Sequence, residues 1–215
     1  GAMLPEQLGE FRREGLSENA IYVFGEDDGK FNDSDYVLFY AQGPISWKIE
    51  NRSSIYHRQN IYSDYAYYFI NIDMGIDGKR ISSAPVVNSE KTLSVTSFTD
   101  YQLHEKDVFN YIRAGRQWFG ENFTIDNQQD FTFNFPNILK TEPVIVKGNF
   151  SALSRSIPTS YSVLYKNNKI LERPIQPHSF SAFNETKGLG TLSPLDDSLV
   201  LSVYWDNKGD LSATA

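Results

Sequence analysis

The stretch of sequence that decides the fold is YSVLYKNNKILE, residues 161–172. It contains two runs rich in β-branched, aromatic and aliphatic residues, Tyr161–Tyr165 and Lys169–Glu172, with Asn167 and Asn168 between them. Asparagine tolerates the positive φ angles that a two-residue hairpin turn requires. The stretch therefore predicts two antiparallel strands joined by a tight turn at the two asparagines.

Similar short runs recur at near-regular spacing through the second half of the chain. The other strands predicted there are Asp130–Phe135, Val144–Ala152, Ser179–Asn184 and Leu199–Trp205. Short strands with turn signals between them are typical of a β-sandwich. We therefore predict a β-sandwich module, jelly-roll-like, over residues 128–215.

The first half of the chain also favours β structure, with one exception. Leu103, Val108, Phe109 and Ile112 are spaced like the apolar face of a short helix, which Gly115 would end. We therefore predict a mainly β fold, with a β-rich module over residues 4–127 that includes a short helical connector near residues 103–114. Residues 1–3 are typical of the remnant of a cleaved affinity tag. The strands predicted in this half are Ala20–Phe24, Tyr36–Gln42, Ile45–Ile49, Ala66–Ile72 and Thr92–Phe98.

Composition and charge exclude several classes of function. The 215 residues include 20 Lys and Arg against 27 Asp and Glu, for a net charge of -7, which argues against nucleic acid as a partner. The chain has no cysteine, so it holds neither a disulfide nor a thiolate nucleophile. It also lacks a nucleophile elbow, a phosphate-binding loop and a dinucleotide fingerprint. The sequence therefore predicts no catalytic residue within this segment.

An acidic turn near the start of the chain has the spacing of a calcium-binding loop. With Gly29 at the sixth position, oxygen ligands fall at four further positions of the loop, although Phe24 at the first position cannot bind a cation. Asp, Asn and Gly are equally expected in a plain turn between strands, which is the preferred interpretation. The candidate calcium ligands are Glu26, Asp28, Asn32 and Asp35.

The aromatic residues of the first half suggest a second kind of site. Exposed rings stack on the flat faces of sugars as they do on other planar surfaces. Trp47, Tyr62 and Tyr65 are therefore candidates for glycan binding. The competing interpretation is a hydrophobic core, since Tyr67 and Phe69 would share one face of a strand.

Five sequence blocks, taken in order, carry a family resemblance. They resemble the region upstream of the peptidase domain in the PorU family, the gingipain-like cysteine peptidases that act as sortases of the type IX secretion system of Bacteroidota. The block around Trp118 is the most specific, and Arg116 and Glu121 within it can form an ion pair. The blocks are residues 28–40, 60–63, 67–69, 104–107 and 115–123, and their characteristic residues include His104, Glu105, Asp107, Arg116, Trp118 and Glu121.

The resemblance implies a parent enzyme at the cell surface, associated with the outer membrane. Such an enzyme removes C-terminal sorting domains from its cargo and links the cargo to lipopolysaccharide. Its His and Cys lie in a later catalytic domain, so this segment would be an accessory region and not itself an enzyme. The implied partners are that catalytic domain, other type IX attachment-complex proteins, cargo C-terminal domains and lipopolysaccharide glycan.

Two further interpretations stay open. The first is a free-standing glycan-binding or adhesin module of a secreted bacterial protein, which requires exposed Trp or Tyr rings. The second is a hydrolase that uses a pair of carboxylates on a β-sandwich, which requires carboxyl groups with raised pKa values.

Overall fold

A computed structural model describes residues 9, 11, 14–51, 54–72, 75–84, 93–115, 117–178 and 183–215. Over these residues the chain is mainly β, with ten strands in antiparallel sheets and one 3-10 turn at Glu26–Asp28. The predicted fold class is therefore confirmed. The predicted tag remnant, residues 1–3, lies outside the described residues. In the described part of the chain, no helix has the length and apolar character needed to cross a membrane.

The chain forms two compact units, Gly1–Ser97 and Phe98–Ala215. The module boundary predicted after residue 127 falls inside the second unit, and it stays a prediction. In the first unit, two separate strand pairs form. They are β1 (Ile21–Phe24) with β2 (Tyr36–Phe39), and β3 (Ile45–Asn51) with β4 (Ser54–Gln59).

Two strands predicted from their composition are not formed. Ala66–Ile72 and residues 93–98 have no strand structure, and Thr92, the first residue of the second prediction, lies outside the described residues. Both runs are rich in β-branched or aromatic residues. Such composition favours a pleated surface, but a strand also needs a neighbouring backbone that completes its hydrogen bonds. These two predictions are therefore wrong for the described residues.

The second unit contains six strands in a nested arrangement. The first pairs with the last, the second with the fifth, and the two middle strands with each other. This is the strand pairing of a jelly roll, reduced to three pairs, and it confirms the predicted jelly-roll-like sandwich. One sheet has the order β5-β10-β7-β8 and the other pairs β6 with β9. The strands are β5 (Gln128–Asn134), β6 (Val144–Ala152), β7 (Thr159–Tyr165), β8 (Asn168–Ile175), β9 (Asn184–Leu192) and β10 (Ser198–Asp206).

The turn between β7 and β8 lies one residue earlier than predicted. Tyr165 pairs with Asn168, so the two turn residues are Lys166 and Asn167, with φ angles of 49° and 64°. Two consecutive positive φ values identify a type I′ turn, whose twist suits a hairpin. The pairing also shifts register between Val163 and Leu164, as at a β-bulge.

Strand β9 approaches β8 closely, and two glycines permit this. A Cβ atom added to Gly190 would lie 2.7 Å from the backbone oxygen of Ile170, and one added to Gly188 would lie 2.7 Å from Cδ1 of Leu171. The sequence predicts a strand at Ser179–Asn184, of which Ser179 to Ala182 lie outside the described residues. The sequence does not predict β9, because glycine is uncommon inside strands.

The hydrophobic core of the second unit lies between its two sheets. One cluster joins strands from both sheets, and partly buried side chains such as Phe133, Val146 and Phe150 pack against it. The second cluster surrounds Trp205 and includes the last residues of the chain, Ala213 and Ala215. The buried members of the first cluster are Val163, Tyr165, Leu171, Leu192, Leu199 and Leu201.

The helix predicted near residues 103–114 is not formed. Phe109 instead pairs with Phe119, each donating its backbone N–H to the other's oxygen, at 2.8 and 2.7 Å. The buried side chain of Asn110 accepts the N–H of Ile112 and donates to the oxygen of Ala114, both at 3.0 Å. Because a strand-like partner and a side chain take these backbone groups, the helical hydrogen-bond pattern is lost. The helical connector was therefore a wrong prediction.

Candidate functional site

The four candidate calcium ligands all lie in the turn between β1 and β2. Asp28 accepts the N–H of Lys30 at 2.9 Å and the side-chain amide of Asn32 at 3.1 Å. Asp35 accepts the N–H of Asn32 at 2.6 Å. Glu26 forms an ion pair with Arg80 at 2.8 Å. These contacts tie the turn together, as expected of Asx-type turns.

The same contacts bear on the calcium hypothesis. Each of the three carboxylates already accepts hydrogen bonds from the protein. Among the described residues, no group of three or more His, Cys, Asp or Glu side chains is placed to hold a metal ion. Calcium binding at this turn stays a prediction.

Two of the three candidate glycan-binding residues lie in one short loop after β4. Asn60 is buried, and its side-chain oxygen accepts the N–H groups of Tyr62 at 2.9 Å and Ser63 at 3.2 Å. The hydroxyl of Ser63 donates to the oxygen of Tyr65 at 2.8 Å. The loop is thus held by its own hydrogen bonds, while the side chains of Tyr62 and Tyr65 are 67% and 68% exposed.

Trp47 lies in a different environment. It is half-buried in β3, opposite His57 of β4, with the two ring centroids 5.6 Å apart. Its ring therefore has a neighbour within its own hairpin, whereas the Tyr65 ring has its neighbour in Tyr67, with centroids 6.3 Å apart. A binding role for Trp47, Tyr62 and Tyr65 stays a prediction.

The first unit leaves a large apolar surface open. Among its described residues, Asn60 is the one buried residue. Tyr67 and Phe69, which the sequence analysis considered as core residues, are 73% and 70% exposed, and Ile70 and Ile72 are each 79% exposed. Exposed apolar side chains in this number are available for contact with another apolar surface. The composition of Ala66–Ile72 predicts a strand, but it does not predict that these side chains are exposed.

The characteristic residues around Trp118 join two segments of the second unit. Nε2 of His104 lies 2.7 Å from Oε1 of Glu121, and Nζ of Lys106 lies 3.3 Å from the same oxygen. The His104 ring packs against Phe131 of β5 at 4.8 Å between centroids. These contacts hold residues 104–106 against residue 121 and against the sandwich. A structural role for the motif residues stays a prediction.

The charge environment of Glu121 stabilises its ionised form. Partial burial raises the pKa of Glu121, but hydrogen bonds from His104, its own backbone N–H and Lys106, with the charge of His104, outweigh that effect. The net result is a pKa below the ordinary value. Arg116, the partner predicted for Glu121, lies outside the described residues.

The other residues of this motif are arranged around an aromatic cluster. The Phe119 ring packs edge-on against Tyr111 and Phe183, with centroids 5.4 and 5.1 Å apart. The bulky rings between Gly115 and Gly120 predict a turn that packs Trp118 into a core, but Trp118 is 47% exposed, so that prediction is wrong. Glu105 and Asp107 are exposed on the segment before the cluster.

The carboxyl groups give no support to a hydrolase. A general acid of the glycosidase type needs a carboxyl group with a raised pKa. Among the described residues, the carboxyl groups whose pKa departs from the ordinary value all shift downward, and each accepts a hydrogen bond from a lysine or a serine side chain. They are Glu121, Glu172, Asp196, Asp206 and Asp210.

Comparison with known proteins adds one structural similarity. No protein-family model matches the chain, and no curated protein matches it either. The crystal structure of dimeric latent PorU from Porphyromonas gingivalis is similar in fold, with a TM-score of 0.63 and 19% sequence identity. The similarity covers 95% of this chain and 19% of that one, so the chain spans about a fifth of the length of PorU. The chain therefore has the fold of a PorU-like β region.

Proposed function

We propose that the chain is a non-catalytic accessory region of a type IX secretion sortase. The parent enzyme would be a cysteine peptidase that removes C-terminal sorting domains and links cargo to lipopolysaccharide at the cell surface. The observation that carries this proposal is the similarity in fold to PorU over 95% of the chain. The order of the five sequence blocks supports it independently. The absence of cysteine agrees with a catalytic centre located elsewhere in the parent.

The physical role that we propose is scaffolding and positioning. A sortase holds a protein end and a glycolipid acceptor near one thiolate, and correct orientation supplies much of the rate of such a reaction. The packed sandwich of the second unit is a rigid support of this kind. The apolar surface of the first unit is suited to protein contacts, and its partners would be the catalytic domain, cargo C-terminal domains or other attachment-complex proteins.

Removal of residues 4–215 from the parent protein tests this function. We expect the deleted enzyme to leave cargo unprocessed and detached, while it still cleaves a short peptide that needs no positioning. Cargo processing and surface attachment are measured by immunoblotting and cell fractionation. The matched control is Ile125→Ser, because Ile125 is 93% exposed and its replacement should leave processing unchanged. Normal processing and attachment by the deleted enzyme would refute the proposal.

One observation favours a second candidate, the free-standing glycan-binding module. Tyr62 and Tyr65 present exposed rings from a loop that its own hydrogen bonds hold in place. Titration with lipopolysaccharide saccharides tests this function directly. Binding that Tyr62→Ala and Tyr65→Ala abolish, and that Tyr40→Ala leaves intact, would support it, since Tyr40 is 80% exposed outside this loop. Absence of binding would leave the accessory role as the better account.

A further inference from the structure

Strand β2 has an open edge that lacks the usual protection. Its one strand partner among the described residues is β1, and all four of its residues, Tyr36–Phe39, are exposed. An edge strand offers unpaired N–H and C=O groups to any other strand, and proteins normally guard such edges with charged residues or proline. The sequence YVLF contains neither.

The other edges of the described sheets are guarded. The outer edge of β1 is bridged by residues 79–81, since Ile21 donates to the oxygen of Lys79 and accepts from the N–H of Ile81. Each remaining edge strand carries at least one charged residue. These residues include Lys48 in β3, Arg58 in β4, Asp130 in β5, Lys147 in β6, Glu172 in β8 and Lys187 in β9. Among the described edges, that of β2 is therefore the exception.

The register of the strand pair shows which backbone groups face the open edge. In antiparallel pairs, residues alternate between those whose N–H and C=O face the partner strand and those whose groups face away. The backbone N–H and C=O of Ile21 point toward residues 79–81 and away from β2. Phe39 is paired with Ile21, so its N–H and C=O point away from β1, toward the open edge of β2. By alternation, Val37 also directs its N–H outward, whereas Tyr36 and Leu38 face β1.

We propose that an extended segment of the same parent polypeptide, outside these 215 residues, adds to the open edge of β2. It would accept the N–H groups of Val37 and Phe39 and cover the apolar side chains beside them. This inference rests on the proposed function, because it requires a longer parent chain. The similarity in fold covers only 19% of the PorU chain, so such a parent has ample further sequence to supply a strand.

The first unit needs what such a strand would bring. Its described residues bury no hydrophobic side chain, so the described part of this unit has no buried apolar core. A two-stranded pair is marginally stable in water, and a third strand with an apolar face is the usual remedy. A segment in the same polypeptide is favoured over a separate molecule, because a tether gives an effective concentration in the millimolar range.

A saccharide explains this surface less well. The exposed side chains of β2 include Val37 and Leu38, which offer no flat ring for a sugar to stack on. A sugar would also leave most of the outward N–H groups of the strand without regular partners. The observations therefore favour a protein strand as the occupant.

Amide hydrogen exchange at single-residue resolution tests the proposal. In the 215-residue chain, Val37 and Phe39 should exchange about 100-fold faster than Tyr36 and Leu38, because only the latter face β1. In the full-length parent, all four amides should exchange within about tenfold of one another. The amides at the guarded edge of β3 serve as the control, and their exchange should not change between the two proteins.

Three outcomes would overturn the proposal. Fast exchange of Val37 and Phe39 in the parent would show that the edge stays open. Protection in the 215-residue chain would mean that no outside segment is needed. If the protection of Val37 and Phe39 in either protein depends on protein concentration, the occupant is a second copy of the chain. The deletion experiment on cargo processing tests the proposed function separately. If the parent needs residues 4–215 for processing but the edge of β2 still exchanges fast, only the strand-addition inference is refuted.

Discussion

The close approach of β9 to β8 predicts that Gly190→Ala destabilises the sandwich. The new Cβ would lie 2.7 Å from the oxygen of Ile170 and 3.1 Å from Cβ of Leu171. The oxygen belongs to the backbone of a paired strand, so relief requires β8 to move as a whole. Overpacking of this kind costs about 1–3 kcal/mol, and we expect about 2 kcal/mol after the smaller entropy of the unfolded alanine chain is subtracted.

Gly188→Ala is the matched control for this substitution. Its Cβ would meet Cδ1 of Leu171 at 2.7 Å and Cγ of Arg173 at 2.9 Å. These atoms belong to side chains, and even the buried Leu171 side chain can shift more easily than a paired backbone, so the cost should be about 1 kcal/mol. Thermal unfolding followed by circular dichroism should show a Tm about 8 °C lower for Gly190→Ala and about 4 °C lower at most for Gly188→Ala. Equal losses for the two variants, or an unchanged Tm for Gly190→Ala, would refute the proposed close contact.

Three further predictions concern the second unit and the acidic turn. Asn110→Ala should lower the free energy of unfolding in urea by about 1–2 kcal/mol, because it removes both side-chain hydrogen bonds that shape residues 110–114. An unchanged free energy of unfolding would contradict that role. Glu121→Gln should lower the free energy of unfolding by about 1 kcal/mol at pH 7. The pKa of Glu121 is lowered in the folded state, so its ionised form stabilises the fold at pH values above the ordinary pKa of 4.5. This stabilisation is lost as the pH falls through the folded-state pKa, so the free energies of unfolding of the two proteins should converge in acid. A difference that stays constant with pH would contradict this. Millimolar calcium should change the Tm by less than about 1 °C, because the carboxylates of the turn already accept hydrogen bonds from the protein. A rise in Tm of several degrees that Asp28→Asn abolishes would establish a calcium site.

The sandwich was largely predictable because its strands carry the pattern that burial imposes. In β7, Val163 and Tyr165 are apolar, buried and two residues apart, and Asn167 marks the hairpin. Strand β9 was not predictable in this way. Gly190 weakens a strand locally, and its benefit, the close approach to β8, depends on packing between strands that the local pattern does not show.

The errors near residue 109 and in the first unit have related causes. The helical spacing of Val108 and Ile112 is a local pattern, and it cannot reveal that Phe109 pairs with Phe119. The exposure of Val37 and Tyr67 is also a property of what surrounds them. An apolar run predicts that its side chains are buried, but it does not show which part of the protein packs against them.

The nested pairing of the second unit constrains the order in which it can fold. The hairpin of β7 and β8 closes across two turn residues, whereas the pairing of β5 with β10 joins Gln128 to Tyr204, which is far along the chain. Closing the longer loop costs more chain entropy, so we expect the inner pair to form first and the outer pair last. During synthesis or export, β5 therefore emerges well before its partner exists. Phe131 and Phe133 would stay unpaired in that interval, which is when a chaperone that binds extended apolar segments would matter most.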